Sequence, residues 1–336
     1  MTFLFAQGFG QKNEMVKVVE SPGHKTVDVY IGGKIFTSFL YPDTLEKPVL
    51  YPVRAANGTI VTRSFPLAKK TGDPTDHPHH VGIWFTYENV NGLDFWNNSY
   101  AIPKEKKYLY GWIRTDSVVT ISGNKKGTIF YHANWTNQQH EILMEESTFL
   151  EFSGDAHRRI IDRITVLTAD TAISFNDAKD GLYGIRLAHA LQIPASSTQT
   201  FKDDRGNVTT VAASQDKIAN GNYVTSEGKR GDDAWSSRGR WCKTFGKMGK
   251  DSVSIAIIDH PENPNFPTFW HARGYGLFAA NPLGEKIFTN GKSSKNLQLQ
   301  NGESVTFRYR IVIDTGPGTL TVPQLDTLAN DFAARK

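Results

Sequence analysis

Between Asp76 and Trp84 the chain reads Asp-His-Pro-His-His-Val-Gly-Ile-Trp, which puts three imidazoles within four positions. Imidazole is the side chain whose ordinary pKa lies near neutrality, so it serves both proton transfer and metal binding. Pro78 removes one backbone donor, fixes its own φ and biases His77 toward extended geometry. In an extended segment, His77 and His79 point to one face and His80 to the other. Burying such rings unpartnered costs about 2–7 kcal/mol per group. The competing reading is a hydrogen-bonded structural cluster at a strand entry; the site reading is preferred because these rings titrate where catalysis operates. The stretch continues as Asn91-Gly92-Leu93-Asp94-Phe95-Trp96, adding a carboxylate and a second indole. For Asp94 and for Glu88 the competing role is turn capping.

A second stretch runs Asp259-His260-Pro261-Glu262-Asn263-Pro264-Asn265-Phe266-Pro267-Thr268-Phe269-Trp270-His271-Ala272-Arg273-Gly274-Tyr275-Gly276. Three prolines in seven positions exclude regular structure. The stretch is therefore a rigid loop at a strand end, where binding groups commonly sit. Asp259-His260-Pro261 echoes Asp76-His77-Pro78. His271, Arg273 and Tyr275 alternate and share a face if extended. The two stretches together offer imidazoles, carboxylates, a guanidinium and the aromatic faces of Trp84, Trp96, Trp270 and Tyr275. That composition suits a sugar, whose apolar ring face stacks on aromatics and whose hydroxyls bind polar groups. A histidine with a carboxylate also moves a proton at neutral pH, an effect of about 100- to 10,000-fold in rate.

The expected roles follow. His79 and His260 transfer protons or ligate, oriented by His77, His80, His271 and Asp259, with His77 and Asp259 counted in the catalytic group. Arg273 holds a carboxylate or hydroxyl, Trp84, Trp96 and Trp270 form stacking walls, and Asp94 and Tyr275 complete the substrate contacts. For each tryptophan the competing role is core packing, and for Arg273 a surface ion pair.

His77, His79, His80, His189, His260 and His271 with Asp94 or Asp259 also form a donor set that zinc, copper or iron tolerates. His-x-His alone is weak evidence and His-Glu-x-x-His is absent, so a divalent metal stays open and no other cofactor is expected. There is no Gly-x-Ser-x-Gly elbow and no phosphate-cradling glycine loop. The single cysteine, Cys242, excludes an intrachain disulfide and a cysteine zinc site. A net charge of +4 spread over 336 residues, with no basic stripe, gives no nucleic-acid partner. No apolar run reaches the roughly 18 residues of a membrane span. Met1-Thr2-Phe3-Leu4-Phe5-Ala6-Gln7 reads like the tail of an export signal. Periplasmic or secreted location is the expectation, although low cysteine usage fits the cytoplasm as well.

The elements that must carry these stretches are strands. Residues 1–25 read as a residual export signal or a loose N-terminus, and 26–336 as one β-sandwich domain. Thr26–Ile31 alternates, Gly32-Gly33 turns, and Lys34–Phe39 follows. Further strands are expected at Gly58–Arg63, Ile83–Tyr87, Ser117–Ser122, Gly127–Trp135, Glu141–Phe152, His157–Leu167, Thr171–Asn176, Ile185–Ile193, Arg240–Phe245, Ser252–Asp259, Leu277–Ala280 and Ser304–Asp314. Residues 196–238 form a polar excursion carrying a strand or two. Only Leu320–Arg335 has helical spacing. Many strands with one helix give an all-β class, a large antiparallel β-sandwich with a short C-terminal helix.

The two histidine stretches, with Leu277-Phe278-Ala279-Ala280-Asn281-Pro282 after the second, resemble the paired signature blocks of the PmoA-like family, whose members carry the label "methane oxygenase PmoA". The resemblance spans about residues 25–315. It implies a sandwich similar to the galactose-mutarotase type and work on carbohydrates in polysaccharide-degrading bacteria; it transfers no catalytic residues. The resulting expectation is an exported carbohydrate-active protein, a hydrolase or lyase acting on a glycan. The alternatives are a non-catalytic carbohydrate-binding module and the metal-dependent oxygenase that the label implies.

Overall fold

Strict alternation builds the sheets. In Thr26–Ile31, for example, Val27, Val29 and Ile31 are buried while the residues between them are half-buried. The structure is a computed structural model that describes residues 14–202, 208–213, 218–316, 318 and 320–335. Two eight-stranded antiparallel sheets form its body. The first runs, edge to edge, Val16–Ser21, Thr26–Ile31, Lys34–Leu40, Val49–Leu50, Ile83–Tyr87, Gly181–Arg186, Leu277–Asn281 and Phe269–Ala272. The second runs Asn222–Thr225, Trp241–Met248, Asp251–Asp259, Ser304–Asp314, Arg158–Ala169, Ile142–Gly154, Lys126–Thr136 and Trp112–Ile121. Their inner faces meet through aromatic pairs: Phe39 with Tyr131 at 4.8 Å, Phe85 with Phe307 at 5.8 Å and Tyr183 with Tyr309 at 5.4 Å. Aromatic pairs of this kind add to the area they bury. The helix Val322–Ala333, opened by a Thr321/Gln324 capping box, lays Leu325, Leu328 and Phe332 against Trp241, Ile258 and Val312 on the second sheet. The expected all-β sandwich with a C-terminal helix is what the chain forms.

Several expectations move. Val16–Ser21 pairs with Thr26–Ile31 as an edge strand, so the ordered sandwich begins before residue 26. Met1–Gln7 lies outside the described residues. Ile185–Ile193 is not one strand: pairing stops at Arg186 and a single 3-10 turn follows at His189–Leu191. Gly58–Arg63 makes only isolated bridges, Ile60 to Arg54 and Thr62 to Leu187. The polar excursion supplies an antiparallel strand pair, Gln199–Lys202 with Val208–Val211, and the edge strand Asn222–Thr225. Among the described residues, no helix is long and apolar enough to cross a membrane.

The outer face of the first sheet positions the site. Along Ile83–Tyr87, Ile83, Phe85 and Tyr87 enter the common core, and Trp84 turns to the opposite face. There it pairs in register with Gly184. A Cβ at Gly184 would stand 3.0 Å from both the Trp84 and Trp96 rings. The missing side chain therefore lets two indoles lie directly on the sheet.

Candidate functional site

The histidine stretch folds as a tight turn rather than an extended segment. The His80 N–H donates to the His77 carbonyl at 3.1 Å, which leaves Pro78 and His79 at the central positions. Proline's fixed φ suits the first central position of such a turn. His77 itself adopts φ +44°, in the left-handed region. Arg63 supports this arrangement by donating to the carbonyls of Asp76 at 2.5 Å, His77 at 2.9 Å and His80 at 3.1 Å. At Gly82, with φ +56°, a Cβ would lie 2.1 Å from the Leu50 carbonyl oxygen, so only glycine can lead the chain from this turn into the sheet. The expected split of the imidazoles onto two faces is thereby overturned. His77 stacks on His80 at 4.8 Å and 8°, and His79 meets His80 edge-on at 4.2 Å. The column continues on both sides, to Tyr275 at 4.9 Å from His77 and to Trp84 at 5.2 Å from His80.

Asp76 anchors the column. Its Oδ2 accepts from Arg186 Nη2 at 2.6 Å and lies 2.6 Å from His77 Nδ1. Burial pushes the Asp76 carboxyl upward, but Arg186, the His77 hydrogen bond and Arg63 outweigh it and hold the group well below the usual carboxylate range. Asp76 is therefore an acceptor, His77 donates from Nδ1, and the neutral ring's lone pair is on Nε2. Burial lowers the His77 pKa to about 4, against the pull of Asp76. Burial also holds His79 and His80 well below the ordinary value, and each lies in the field of its neighbouring histidine. The cluster is neutral at physiological pH.

Beside it opens a cavity of about 520 Å³. His77, His79, His80, His271, Arg273 and Tyr275 all line it, so the structure brings together residues from sequence stretches far apart. The hairpin of Phe269–Ala272 with Leu277–Asn281 delivers the last three. His271 is on its first strand, and Arg273 and Tyr275 are in its turn, closed by Arg273 N–H to the Leu277 carbonyl at 2.8 Å. His271 Nδ1 is 3.3 Å from Asp180 Oδ1, within ion-pair range but not aligned as a hydrogen bond. Burial holds His271 well below its ordinary pKa, with Arg273 and Lys179 acting in the same direction. Asp180 and Lys179 line the same space, and Thr200, Val208 and Thr209 of the excursion's strand pair line it too. Trp235 forms a wall, with the Arg273 guanidinium 5.2 Å from its ring centroid.

Other expected site residues lie elsewhere. Asp259 is buried and accepts from Asn263 Nδ2 at 2.7 Å, Thr268 N–H at 2.8 Å and His260 N–H at 3.0 Å. Burial pushes its carboxyl up to about 7 against those three donors. His260 is 3.1 Å from the Arg335 carbonyl through Nε2 and packs edge-on against Phe332 of the C-terminal helix at 5.1 Å. Neither lines the cavity; both fasten the proline-rich loop. Trp84 and Trp96 are buried beneath His80, and Trp270 is in the common core, so none of the three walls the cavity. Asp94 is fully buried and ties the Asp94–Asn97 turn through Asn97 N–H at 2.8 Å and Asn97 Nδ2 at 2.9 Å, the capping role.

Sequence reading did not assign Asp180, Lys179 or Trp235 to the site, nor the clamp of Arg63 and Arg186. Asp180-Gly181 reads as a turn and Trp235 lies in the polar excursion. A lone tryptophan in such a stretch, with no strand pattern to bury it, was the available signal. Among the described residues, no three His, Cys, Asp or Glu side chains converge as a metal-ligand set.

The sequence matches DUF6807, a family of unknown function, over residues 26–329. That match corrects the resemblance to the PmoA-like family; both signature blocks lie inside the matched span, and no PmoA family is matched. No curated protein matches the chain. Among solved structures, galactose 1-epimerase from Lactobacillus acidophilus shares 11% identity, with 92% of this chain and 100% of that one covered and a TM-score of 0.33. A galactose mutarotase-like protein from Clostridium acetobutylicum shares 11% identity, with 90% and 99% covered and a TM-score of 0.37. The α-galactosidase from Lactobacillus brevis shares 7% identity at a TM-score of 0.36; the match covers 90% of this chain but only 40% of that enzyme. At such scores the likeness carries no inference about activity.

Proposed function

The chain belongs to the DUF6807 family, and from the geometry of its cavity we propose that it binds a sugar and catalyses proton transfer on it. The observation that carries this reading is the Asp76–His77 dyad on the cavity wall. A carboxylate clamped by Arg186 accepts from Nδ1, so Nε2 is the basic nitrogen. That is the arrangement by which a buried acid orients a histidine base. His79 lines the same wall and makes no hydrogen bond among the described residues, so its ring is available to a ligand. Tyr275, whose phenol burial pushes well above its ordinary pKa, stays protonated and can return a proton. Arg273 and Lys179 supply positive charge for a carboxyl or hydroxyl group, and Trp235 supplies a stacking face.

The same inventory selects among reactions. Glycosidases of the common kind use two carboxyl groups flanking the bond. Of the described carboxylates, only Asp180 lines this cavity, and Asp76 is committed to its clamp. Elimination or isomerisation, each of which begins with removal of one proton by a neutral base, fits better than hydrolysis. In elimination the base takes a proton beside a carboxyl group, the electron pair forms a carbon–carbon double bond, the carbon–oxygen bond breaks, and the departing oxygen takes a proton from the acid.

The test is incubation with neutral and uronic-acid mono- and oligosaccharides in D2O, read by mass spectrometry and NMR. Deuterium incorporation or unsaturated products that disappear in His77→Asn support the reading. Asparagine is chosen because it tolerates the positive φ. Addition of water across a glycosidic bond would replace it with hydrolysis. Saturable binding without turnover would reduce the protein to a binding module.

A further inference from the structure

The Pro78–His79 turn has a second side. A smaller space of about 240 Å³ also lies against these two residues. Residues 97–101 alternate between the two: Asn97, Ser99 and Ala101 line the main cavity, and Asn98 and Tyr100 line the lobe. The two spaces differ in chemistry. The main cavity carries imidazoles, Lys179, Asp180 and Arg273, whereas the lobe is walled by Leu45, Val49, Pro66, Leu67, Val81 and Tyr100. The ionic residues on the lobe have partners inside the protein. Glu46 Oε1 pairs with Lys107 Nζ at 3.4 Å, and the buried Lys47 ammonium donates to the Trp96 carbonyl at 2.6 Å. Lysine engaged in this way offers its apolar stem rather than its charge. Leu67 and Tyr100 are 38% and 65% exposed, so apolar surface on the lobe is open to a ligand.

We propose that the lobe receives an apolar, ring-sized substituent carried by the sugar in the main cavity, which makes the ligand class an aryl glycoside rather than an unsubstituted saccharide. The proposal rests on the carbohydrate reading above and narrows it. Size permits it, since apolar cavities of about 150 Å³ take up benzene. Chemistry favours it, since a mostly apolar wall gains more from an aryl group than from a second sugar, whose hydroxyls would find few partners there beyond Thr44, Glu46, Asn98 and His79. Pro78 and His79 line both spaces, so on this proposal the bond between sugar and substituent lies beside this turn.

The experiment is calorimetric titration of the full chain with methyl and phenyl β-glycosides of glucose, galactose and glucuronic acid. The phenyl compound of at least one pair is expected to bind ten-fold or more tightly than its methyl partner. In the Leu67→Ser/Tyr100→Ser variant that advantage falls below three-fold while methyl-glycoside affinity holds. Both changes are at exposed positions; should the double variant lose its fold by circular dichroism, each single variant is read for a partial loss. Equal binding of methyl and phenyl partners overturns the aryl assignment and leaves the carbohydrate reading standing. A phenyl advantage untouched by the variants also overturns it, because the ring then sits elsewhere. No binding by any glycoside removes the carbohydrate reading and this inference with it.

Discussion

Arg186 Nη1 donates to His80 Nδ1 at 3.1 Å while its Nη2 donates to Asp76 at 2.6 Å. Because a guanidinium only donates, the first bond fixes His80 as the tautomer with its proton on Nε2. One buried cation thus sets the protonation of two stacked imidazoles, His80 directly and His77 through Asp76. Replacing it by methionine keeps most of the volume but leaves the Asp76 carboxylate with only its Arg63 and His77 contacts. Breaking a buried ion pair from one side costs about 3–5 kcal/mol. Arg186→Met should lose stability on that scale in urea denaturation, and nitrogen NMR of the His80 ring should show a mixed tautomer. An unchanged ring spectrum would mean that Arg186 does not set the tautomer.

His79 and His260 were expected to share one role, and the structure separates them. His79 is half-buried and bonds to no described residue, so His79→Ala should cost little stability, about 1 kcal/mol or less, while removing turnover or weakening sugar binding. His260 packs on Phe332 and bonds to the Arg335 carbonyl. Its loss leaves a hole under the helix and should cost about 2–4 kcal/mol with sugar binding intact. Thermal melts set beside titration calorimetry read both variants, and a loss of binding in His260→Ala with the fold preserved would return that residue to the site.

Stability should fall steeply in acid, and the sign can be worked out. His77 titrates near 4 when folded, and burial holds His79, His80 and His271 well below their ordinary value of 6.5. Between the folded and unfolded values the unfolded chain binds more protons, so stability is lost as pH falls below about 6.5, at about 1.4 kcal/mol per pH unit for each such group. Asp259 acts oppositely: raised to about 7, it holds a proton that the unfolded chain has released, so its contribution is lost as pH rises from 3.8 to 7. The four imidazoles, with His260 also lowered by burial, outnumber the two raised carboxyls, Asp259 and Asp177, and the net slope between pH 5 and 6.5 should be positive. Urea midpoints across that range measure it. Turnover, if His77 is the base, should keep its acid limb near pH 4 rather than 6.5.

The sandwich was legible because alternation is a local signal: Ser304–Asp314 and Ile83–Tyr87 appear as strands where their patterns put them. Arg273 and Tyr275 both line the cavity, though alternation implied the wrong geometry for them. They reach the cavity from a hairpin turn, not from an extended run. What stayed hidden was tertiary. Nothing in Asp-His-Pro distinguishes the copy at Asp76, which meets Arg63 and, from a distant strand, Arg186, from the copy at Asp259, which binds its own loop. Nor does an isolated Trp235 declare that it lines the same cavity as the histidine turn.

Gly184 offers a test of whether the floor of the site is rigid. A methyl group there would stand 3.0 Å from Trp84 and Trp96, and Trp84 carries His80 on its face at 5.2 Å. Neither indole can withdraw easily, since Trp84 and Trp96 are buried and packed against each other at 5.0 Å. Gly184→Ala should therefore cost about 1–3 kcal/mol and weaken ligand binding by tilting the imidazole column. If the clash is the cause, Trp84→Phe should relieve it. The double variant should then be more stable than the sum of the two single losses predicts, with a coupling of about 0.5–3 kcal/mol. Strict additivity of the two changes would show that the floor yields elsewhere and does not transmit the strain to His80.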